Sequence, residues 1–461
     1  MLYSIKKVHF IGIGGIGMSG IAELLKNKGF LVTGSDISDS PNVQRLIDLG
    51  IHVTIGHNAE NISDSELVIY SDAIPKNNVE LKNALSKNLL VYSRARMISE
   101  IAKLNNSTVA ISGTHGKTTT TSMVGSILKA LELDPTIIVG GVVKSLESNS
   151  ALGSGDTFVV EADEYNKSLL HLSPTIAVIN NIDFEHIECY EDLEDLKETF
   201  IQFANSVPFY GSVCACLDSS NVASIIKRID KPLISYGIEN KDVDIKADNI
   251  QQKNGKVSFN AKIKDRKFSV NLSVPGRYNV YNALAALAVC ETMGINIEKA
   301  CNALSNFGGV KRRFDIKANK NVMIVDDYAH HPVEVQNVVE TVKENWDTNL
   351  NVVFQPHLFS RTKEFFREFA EALKIADIVI ISEIYGAREE PIKGVTSQLI
   401  FFELEKKMKN KCILLSNLNE LEKTINGIIK PGDLLLTMGA GDIWRYNEYY
   451  VEQMKRRFRK V

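Results

Sequence analysis

Residues Gly113-Thr114-His115-Gly116-Lys117-Thr118 are of the types that grip phosphate. Glycines let backbone N–H groups approach an anion, a lysine brings charge to the β and γ oxygens, and a threonine hydroxyl suits Mg2+. The full phosphate loop reads G-x-x-x-x-G-K-S/T, and its first glycine would fall on Ile111. The frame here is therefore a shortened one that starts at Gly113. A strand pattern before it, STVAISG, and a helical pattern after it, TTTTSMVGSILKALEL, give the setting of an ATP site. Thr119 to Thr121 fall in a first helical turn, where hydroxyls serve unpaired N–H groups. His115 keeps two readings, facing the reaction or holding the loop.

A second phosphate turn lies near the N-terminus. Gly12, Gly14, Gly15 and Gly17 form G-x-G-x-x-G between a strand and a helix, and Asp36 closes the next strand. A pyrophosphate would rest on the helix N-terminus, where N–H groups and the helix dipole favour anions. Any nucleotide diphosphate satisfies that geometry, so NAD is not singled out. Two acidic stretches follow strands. In VVEADEYN, Glu161 and Asp163 lie two apart and would share a strand face. A carboxylate at a strand end near a phosphate loop is the usual second anchor for Mg2+. NNIDFEHIECY repeats the arrangement with Asp183, Glu185 and His186. A dehydrogenase has no use for Lys117-Thr118 and a metal cluster. ATP together with a second phosphate-bearing ligand suggests joining or transfer driven by ATP.

These groups need several elements to hold them. A chain of 461 residues exceeds one core and predicts two to three domains. Hydrophobic content of 44% and charged content of 24% are ordinary for a globular protein. A net charge of −3 leaves no basic footprint for nucleic acid. The basic run KRRFRK, 455–460, reads as the solvated face of a last helix. The six cysteines, at 189, 214, 216, 290, 301 and 412, form no CxxC pair, which disfavours zinc and disulfides and fits a reducing cytoplasm. Lys6-Lys7 and the following VHFIGIGGIG resemble a secretion signal, but the histidine and the glycines mark a buried strand and its turn. No run approaches the roughly 20 apolar residues of a membrane span.

Short apolar runs alternate with helical patterns, which predicts an α/β protein with parallel sheets. Residues 1–104 read as a Rossmann-like domain and 105–316 as a P-loop ATPase-like α/β domain. Alternation over 240–275 adds an antiparallel sheet to the latter. Residues 317–461 read as a smaller Rossmann-like domain.

Taken together, HFIGIGGIGMSGIAELL, VTGSD, GHNAENI, AISGTHGKTTTTSM, VVEADE, NNIDFEHIECY, VPFYG, PGRYNVYNALAA, KRRFD, DDYAHHPVEV, FQPHLFSRT and PGDLLLTMGAGDI resemble the Mur ligases, cytoplasmic enzymes that build the peptide of bacterial cell-wall precursors. The likeness runs over essentially the whole chain. It implies that a carboxylate of UDP-N-acetylmuramate attacks the γ-phosphate of ATP, that ADP leaves an acyl phosphate, and that the amine of L-alanine displaces phosphate. It implies Lys117 on the phosphates, Thr118, Glu161 and His186 at the metal, and Asn279 and Asn282 at adenine and ribose. Asp327, Tyr328, His330, His357, Arg313 and Arg361 would bring the third domain onto ATP and the amino acid. The Gly12 turn and Asp36 would hold UDP, with Ser71, His57 and Arg94 near uridine or sugar.

Three positions depart from the family pattern. Asp183-Phe184-Glu185-His186 stands for Glu-x-Asp-His, and Ser71-Asp72-Ala73-Ile74 for Ser-Ser-Ala-Ile. TFIQFANSVPFYG offers no lysine for the carbamylation seen in sister enzymes. The runner-up reading is the relative that rejoins recycled tripeptide to the same sugar nucleotide. A rival of another class is a nucleotide-binding redox or sensor protein that binds NAD(H). A monomer or weak homodimer is expected, with the third domain closing over the central one.

Overall fold

The apolar runs around VHFI, VAIS and MIV become central strands, buried because parallel sheets are covered on both faces. The computed structural model describes residues 5–71, 73–184, 189–387 and 389–458. The first sheet comprises β1 (Lys7–Ile11), β2 (Leu31–Asp36), β3 (His52–Ile55), β4 (Leu67–Tyr70) and β5 (Leu90–Ser93), in the order β3-β2-β1-β4-β5. All its pairs are parallel. Strand order reverses between β1 and β4, so a crevice is expected beyond their carboxyl ends.

The central sheet follows with β6 (Ser107–Ser112), β7 (Thr136–Val143), β8 (Ser148–Ala151), β9 (Thr157–Glu161), β10 (Ile176–Ile179), β11 (Ser212–Cys216), β12 (Leu233–Gly237), β13 (Ile245–Lys253), β14 (Lys256–Ile263) and β15 (Arg266–Leu272). Its order is β15-β14-β13-β12-β11-β10-β6-β9-β7-β8. β6 lies between β10 and β9, parallel to both, so the loop after it emerges between two other strand ends. The alternating 240–275 stretch extends this sheet rather than forming a separate one. Its first two strands are joined by Asn254 and Gly255, both at positive φ, the signature of a two-residue hairpin turn.

The third sheet comprises β16 (Asp315–Asn319), β17 (Met323–Asp327), β18 (Leu350–Phe354), β19 (Ile378–Ile381), β20 (Cys412–Leu414) and β21 (Leu434–Met438), in the order β16-β17-β21-β18-β19-β20. β16 is antiparallel to β17, and the remaining pairs are parallel. The chain divides into two compact units, one of residues up to 249 with 259–271 and 280–308, the other of 250–258, 272–279 and 309–461. In the first unit Phe10, Met18 and Leu24 share a core with Phe158, Phe200 and Phe203. The Ala-rich helix Arg277–Thr292 is apolar all round from Ala283 to Cys290, and those residues are fully buried. The cysteines are free thiols. Among the described residues no helix is long and apolar enough to cross a membrane.

Candidate active site

The shortened loop is built by two residues that must be glycine. Gly113 has φ +128° and Gly116 φ +83°, a region that side chains rarely adopt. Cβ atoms there would meet the backbone of Asn181 at 3.0 Å and Asn282 Oδ1 at 2.5 Å. Gly116 caps the helix Lys117–Ala130, whose first N–H groups face the loop. The strand end after β10 clasps the loop from the side. Thr114 N donates to Asn181 O, His115 N donates to Asn181 Oδ1 at 2.7 Å, and Asp183 N donates to Thr114 Oγ1 at 2.8 Å. His115 Nε2 lies 3.4 Å from Asp183 Oδ2. The threonines do not cap the helix as the sequence suggested. Thr121 Oγ1 donates back to Lys117 O, and Thr120 Oγ1 donates to Asn282 Oδ1 at 3.1 Å. Asn282 thereby touches the loop; Asn279, earlier in the same helix, is buried and donates from Nδ2 to Pro275 O.

Lys117 curls over the loop it follows. Its Nζ donates to Gly113 O at 2.7 Å and to both carboxylate oxygens of Glu164, at 2.7 and 2.9 Å. Glu164 is buried, and that burial pushes its carboxyl up to about 7 while the Lys117 charge pulls it back. Sequence reasoning passed over Glu164, because the two acids before it held the expected metal spacing. Those two do not share a face. β9 ends at Glu161, whose Oε1 accepts from Gly140 N at 2.6 Å. Asp163 lies past the strand end, accepts from Tyr165 N and pairs with Arg94 Nη2 at 3.7 Å. Glu185 and His186 lie outside the described residues, as does Asp72.

The described donors near the loop can be tested against Mg2+. Thr118 and Glu161 offer hard oxygens, which suit that ion. Among the described residues no three His, Cys, Asp or Glu side chains converge into a cage. That pattern fits an ion bound by one or two protein oxygens with phosphate and water completing its shell.

In the first sheet the glycine turn closes against β2. Gly12, at φ +79°, and Ile13 both donate to Ser35 O, and Gly14 N donates to Asp36 Oδ2 at 2.8 Å. Asp36 thus braces the turn. Gly15 caps the helix Ile16–Asn27. A Cβ on Gly17 would reach Arg94 Nη1 at 3.0 Å, and one on Gly12 would reach Ser71 Cβ at 3.4 Å, so Arg94 and Ser71 border the turn. His57 Nδ1 lies 3.1 Å from Ser35 Oγ and 3.3 Å from Glu80 Oε1. Glu80 is fully buried, yet its carboxyl is held down at about 2. Burial opposes this strongly, but bonds from His9, Ser35 and Asn61 outweigh it. Nothing in the sequence singled out Glu80, which reads as an ordinary first-turn acid behind the Asn78 cap.

The third sheet carries the remaining candidates at the end of β17 and after β18. Asp327 is buried, accepts from Phe314 N and Ala329 N at 2.6 and 2.7 Å, and is pushed up to about 6 by burial. Tyr328, His330 and His357 form a chain of edge-on rings, with centroids 5.2 and 5.8 Å apart. Arg361 Nη1 reaches His357 Nδ1 at 3.2 Å. Glu334 lies 3.2 Å from His330 Nδ1 and 3.9 Å from Arg313 Nη1. The neighbouring arginines part company. Both lie over the Tyr328 ring, but Arg312 also bonds to the buried Asp326 and to Gly439 O, whereas Arg313 lies beside Glu334.

Two local clusters thus emerge, one around Lys117 and one around His330 and Arg361. Family models match along nearly the whole chain: "Mur ligase family, catalytic domain" over residues 7–106, "Mur ligase middle domain" over 111–290 and "Mur ligase, glutamate ligase domain" over 312–441. A UDP-N-acetylmuramate–L-alanine ligase of a Sulfurihydrogenibium species is 43% identical over 445 residues, 96% of this chain and 97% of that one. The crystal structure of a UDP-N-acetylmuramate–alanine ligase from Thermotoga maritima superposes with a TM-score of 0.85 at 30% identity, covering 98% of this chain and 99% of that one. A murein peptide ligase from Psychrobacter arcticus gives 0.73 at 26%, covering 95% and 96%.

Proposed function

The chain belongs to the Mur ligase family, whose members are ATP-dependent ligases, and we propose that it joins L-alanine to the carboxylate of UDP-N-acetylmuramate. The observation that carries this reading is the 43% identity over 96% of the chain to a ligase of that name. The likeness to a murein peptide ligase is weaker in both identity and superposition, which favours alanine over a recycled peptide.

Residues 1–104 are assigned to the sugar nucleotide, 105–316 to ATP and 317–461 to the amino acid. The turn at Gly12, Gly14, Gly15 and Gly17 receives the diphosphate, with Asp36 bracing it and His57, Ser71 and Arg94 at its border. Lys117 and the helix N-terminus behind Gly116 receive the ATP phosphates, with Thr114, His115 and Thr119 shaping the loop and Asn279 and Asn282 serving the nucleoside. Thr118 and Glu161, with His186, would hold Mg2+, which when bound neutralises phosphate charge.

Chemistry then follows from charge. A carboxylate oxygen bonds to the γ-phosphorus as the bridging P–O bond to ADP breaks. Both reactants are anions, so a fixed ammonium such as Lys117 lowers the barrier by offsetting their repulsion. The L-alanine amine attacks the carbonyl carbon, loses a proton, and the C–O bond to phosphate breaks. Arg361 presents a planar fork suited to an amino-acid carboxylate. Tyr328, His330, His357 and Arg313 line the same strand ends, and Asp327 fixes the turn that carries them. The test is ADP release with ATP, UDP-N-acetylmuramate and a panel of L-alanine, L-serine, glycine and murein tripeptide. Fastest turnover with L-alanine is expected. Faster turnover with the tripeptide, or NAD(H) binding without ADP release, would overturn the reading.

A further inference from the structure

Glu164 ends the VVEADE stretch without a role assigned to it, yet it makes the closest side-chain contact with the lysine of the loop. Both of its carboxylate oxygens accept from Lys117 Nζ, and Gly113 O accepts a third bond from the same atom at 2.7 Å. Thr114 O lies within reach of the same atom at 3.3 Å, so the three N–H donors of the ammonium are already shared among these acceptors. A phosphate oxygen that takes a bond from Lys117 must therefore displace one of them.

The segment bearing Glu164 is shaped for this contact. Asn166 and Lys167, just after it, both sit in the left-handed region at φ +52° and +55°. Two successive non-glycine residues there cost roughly 1–2 kcal/mol each, and such strain collects at working sites. The turn is pinned from behind. Tyr190 OH donates to Glu164 O at 2.5 Å, and Lys167 Nζ donates to Asp195 Oδ1 at 2.7 Å. Leu169 N donates to Asp163 O at 2.8 Å. A carboxylate that only filled core space would not need a strained, pinned turn to meet a lysine head on.

We propose that Glu164 is a positioning residue, an internal counter-ion that seats Lys117 against the loop and yields at least one of its bonds to the phosphates of ATP. This rests on the ATP site proposed above. The consequence has a sign. Seated against Glu164, the Lys117 charge is neutralised locally, so nucleotide binding must break an ion pair before it gains one. Removing the negative charge then strengthens phosphate binding. A residue that merely supported the loop would weaken binding when altered.

The test uses the full chain and ATP with Mg2+, with affinity read by calorimetry. Glu164→Gln is expected to lower the ATP Kd about tenfold, and Glu164→Asp, which keeps the charge, to leave it within about threefold of the unaltered value. An unchanged or raised Kd in Glu164→Gln, or equal tightening in Glu164→Asp, overturns the proposal. A crystal structure of the unaltered protein with a non-hydrolysable ATP analogue needs no variant. There one of the two Lys117–Glu164 bonds, now 2.7 and 2.9 Å, is expected to open beyond hydrogen-bond reach. Retention of both overturns the proposal. If the unaltered protein binds no ATP, the proposed function falls and this inference with it; ATP binding without tightening in Glu164→Gln removes this inference alone.

Discussion

Gly116→Ala separates the geometry of the phosphate loop from its composition. The substitution adds one methyl group and removes no polar atom. Its Cβ would stand 2.5 Å from Asn282 Oδ1, against an ordinary contact of 3.4 Å, so the Asn282 amide has to retreat by about 0.9 Å. That retreat strains the 3.1 Å bond that Thr120 Oγ1 donates to Asn282. A lost side-chain bond is worth about 1 kcal/mol. Holding alanine at φ +83° adds roughly 1–2 kcal/mol. Together these amount to about 2–3 kcal/mol of stability. The loop and its helix N-terminus also shift on the scale of 1 Å, a misplacement that can cost on the order of 100-fold in rate. Gly294→Ala is the control, since Gly294 is also left-handed at φ +68° but a Cβ there meets nothing within 4 Å. Both variants are expected to melt earlier than the parent. Gly116→Ala alone is expected to lose roughly 100-fold in kcat/KM for ATP, measured as ADP release. Equal kcat/KM in the two variants would refute the reasoning, because strain without encroachment would then account for everything.

Glu80→Gln tests the buried hub beneath the Gly12 turn. A folded pKa of about 2 against an ordinary 4.5 corresponds to about 3 kcal/mol. The folded value lies below the unfolded one, so this stabilisation is complete above about pH 4.5 and is lost as pH falls towards about 2. Urea denaturation of the full chain is expected to show a gap between parent and variant that narrows below pH 4.5, and a gap that widens in acid would contradict the assignment. The two arginines before Phe314 are expected to separate by assay. Arg312→Ala strands the buried Asp326 carboxylate and is expected to cost about 3 kcal/mol in a melt. Arg313→Ala removes a charge 3.9 Å from Glu334 that also favours the buried Asp327 carboxylate, and is expected to cost less in a melt than Arg312→Ala while ligation falls more than about 100-fold. Equal melts for the two variants would dissolve the distinction.

Local signals in the sequence carried the strand–turn–helix units well. Gly12, Gly113 and Gly116 were legible because positive φ and close approach are requirements of a few adjacent residues. The clustering of Tyr328, His330, His357 and Arg361 was suggested by family likeness and placed by the ends of β17 and β18. Groups whose role depends on distant segments were not legible. Glu80 gathers His9, Ser35, His57 and Asn61, with His9 lying 71 positions away in sequence. Glu164 became visible only through its contact with Lys117, 47 positions away in sequence. Asp163 was misread because the strand that would have aligned it with Glu161 ends at Glu161.

The central claim is that ATP activates the sugar carboxylate as an acyl phosphate. UDP-N-acetylmuramate carrying 18O in that carboxylate tests it directly, with ATP and L-alanine and mass analysis of the released phosphate. One 18O atom is expected in the phosphate, since the carboxylate oxygen that bonds to phosphorus leaves with it. Ligated product accompanied by unlabelled phosphate would contradict the account.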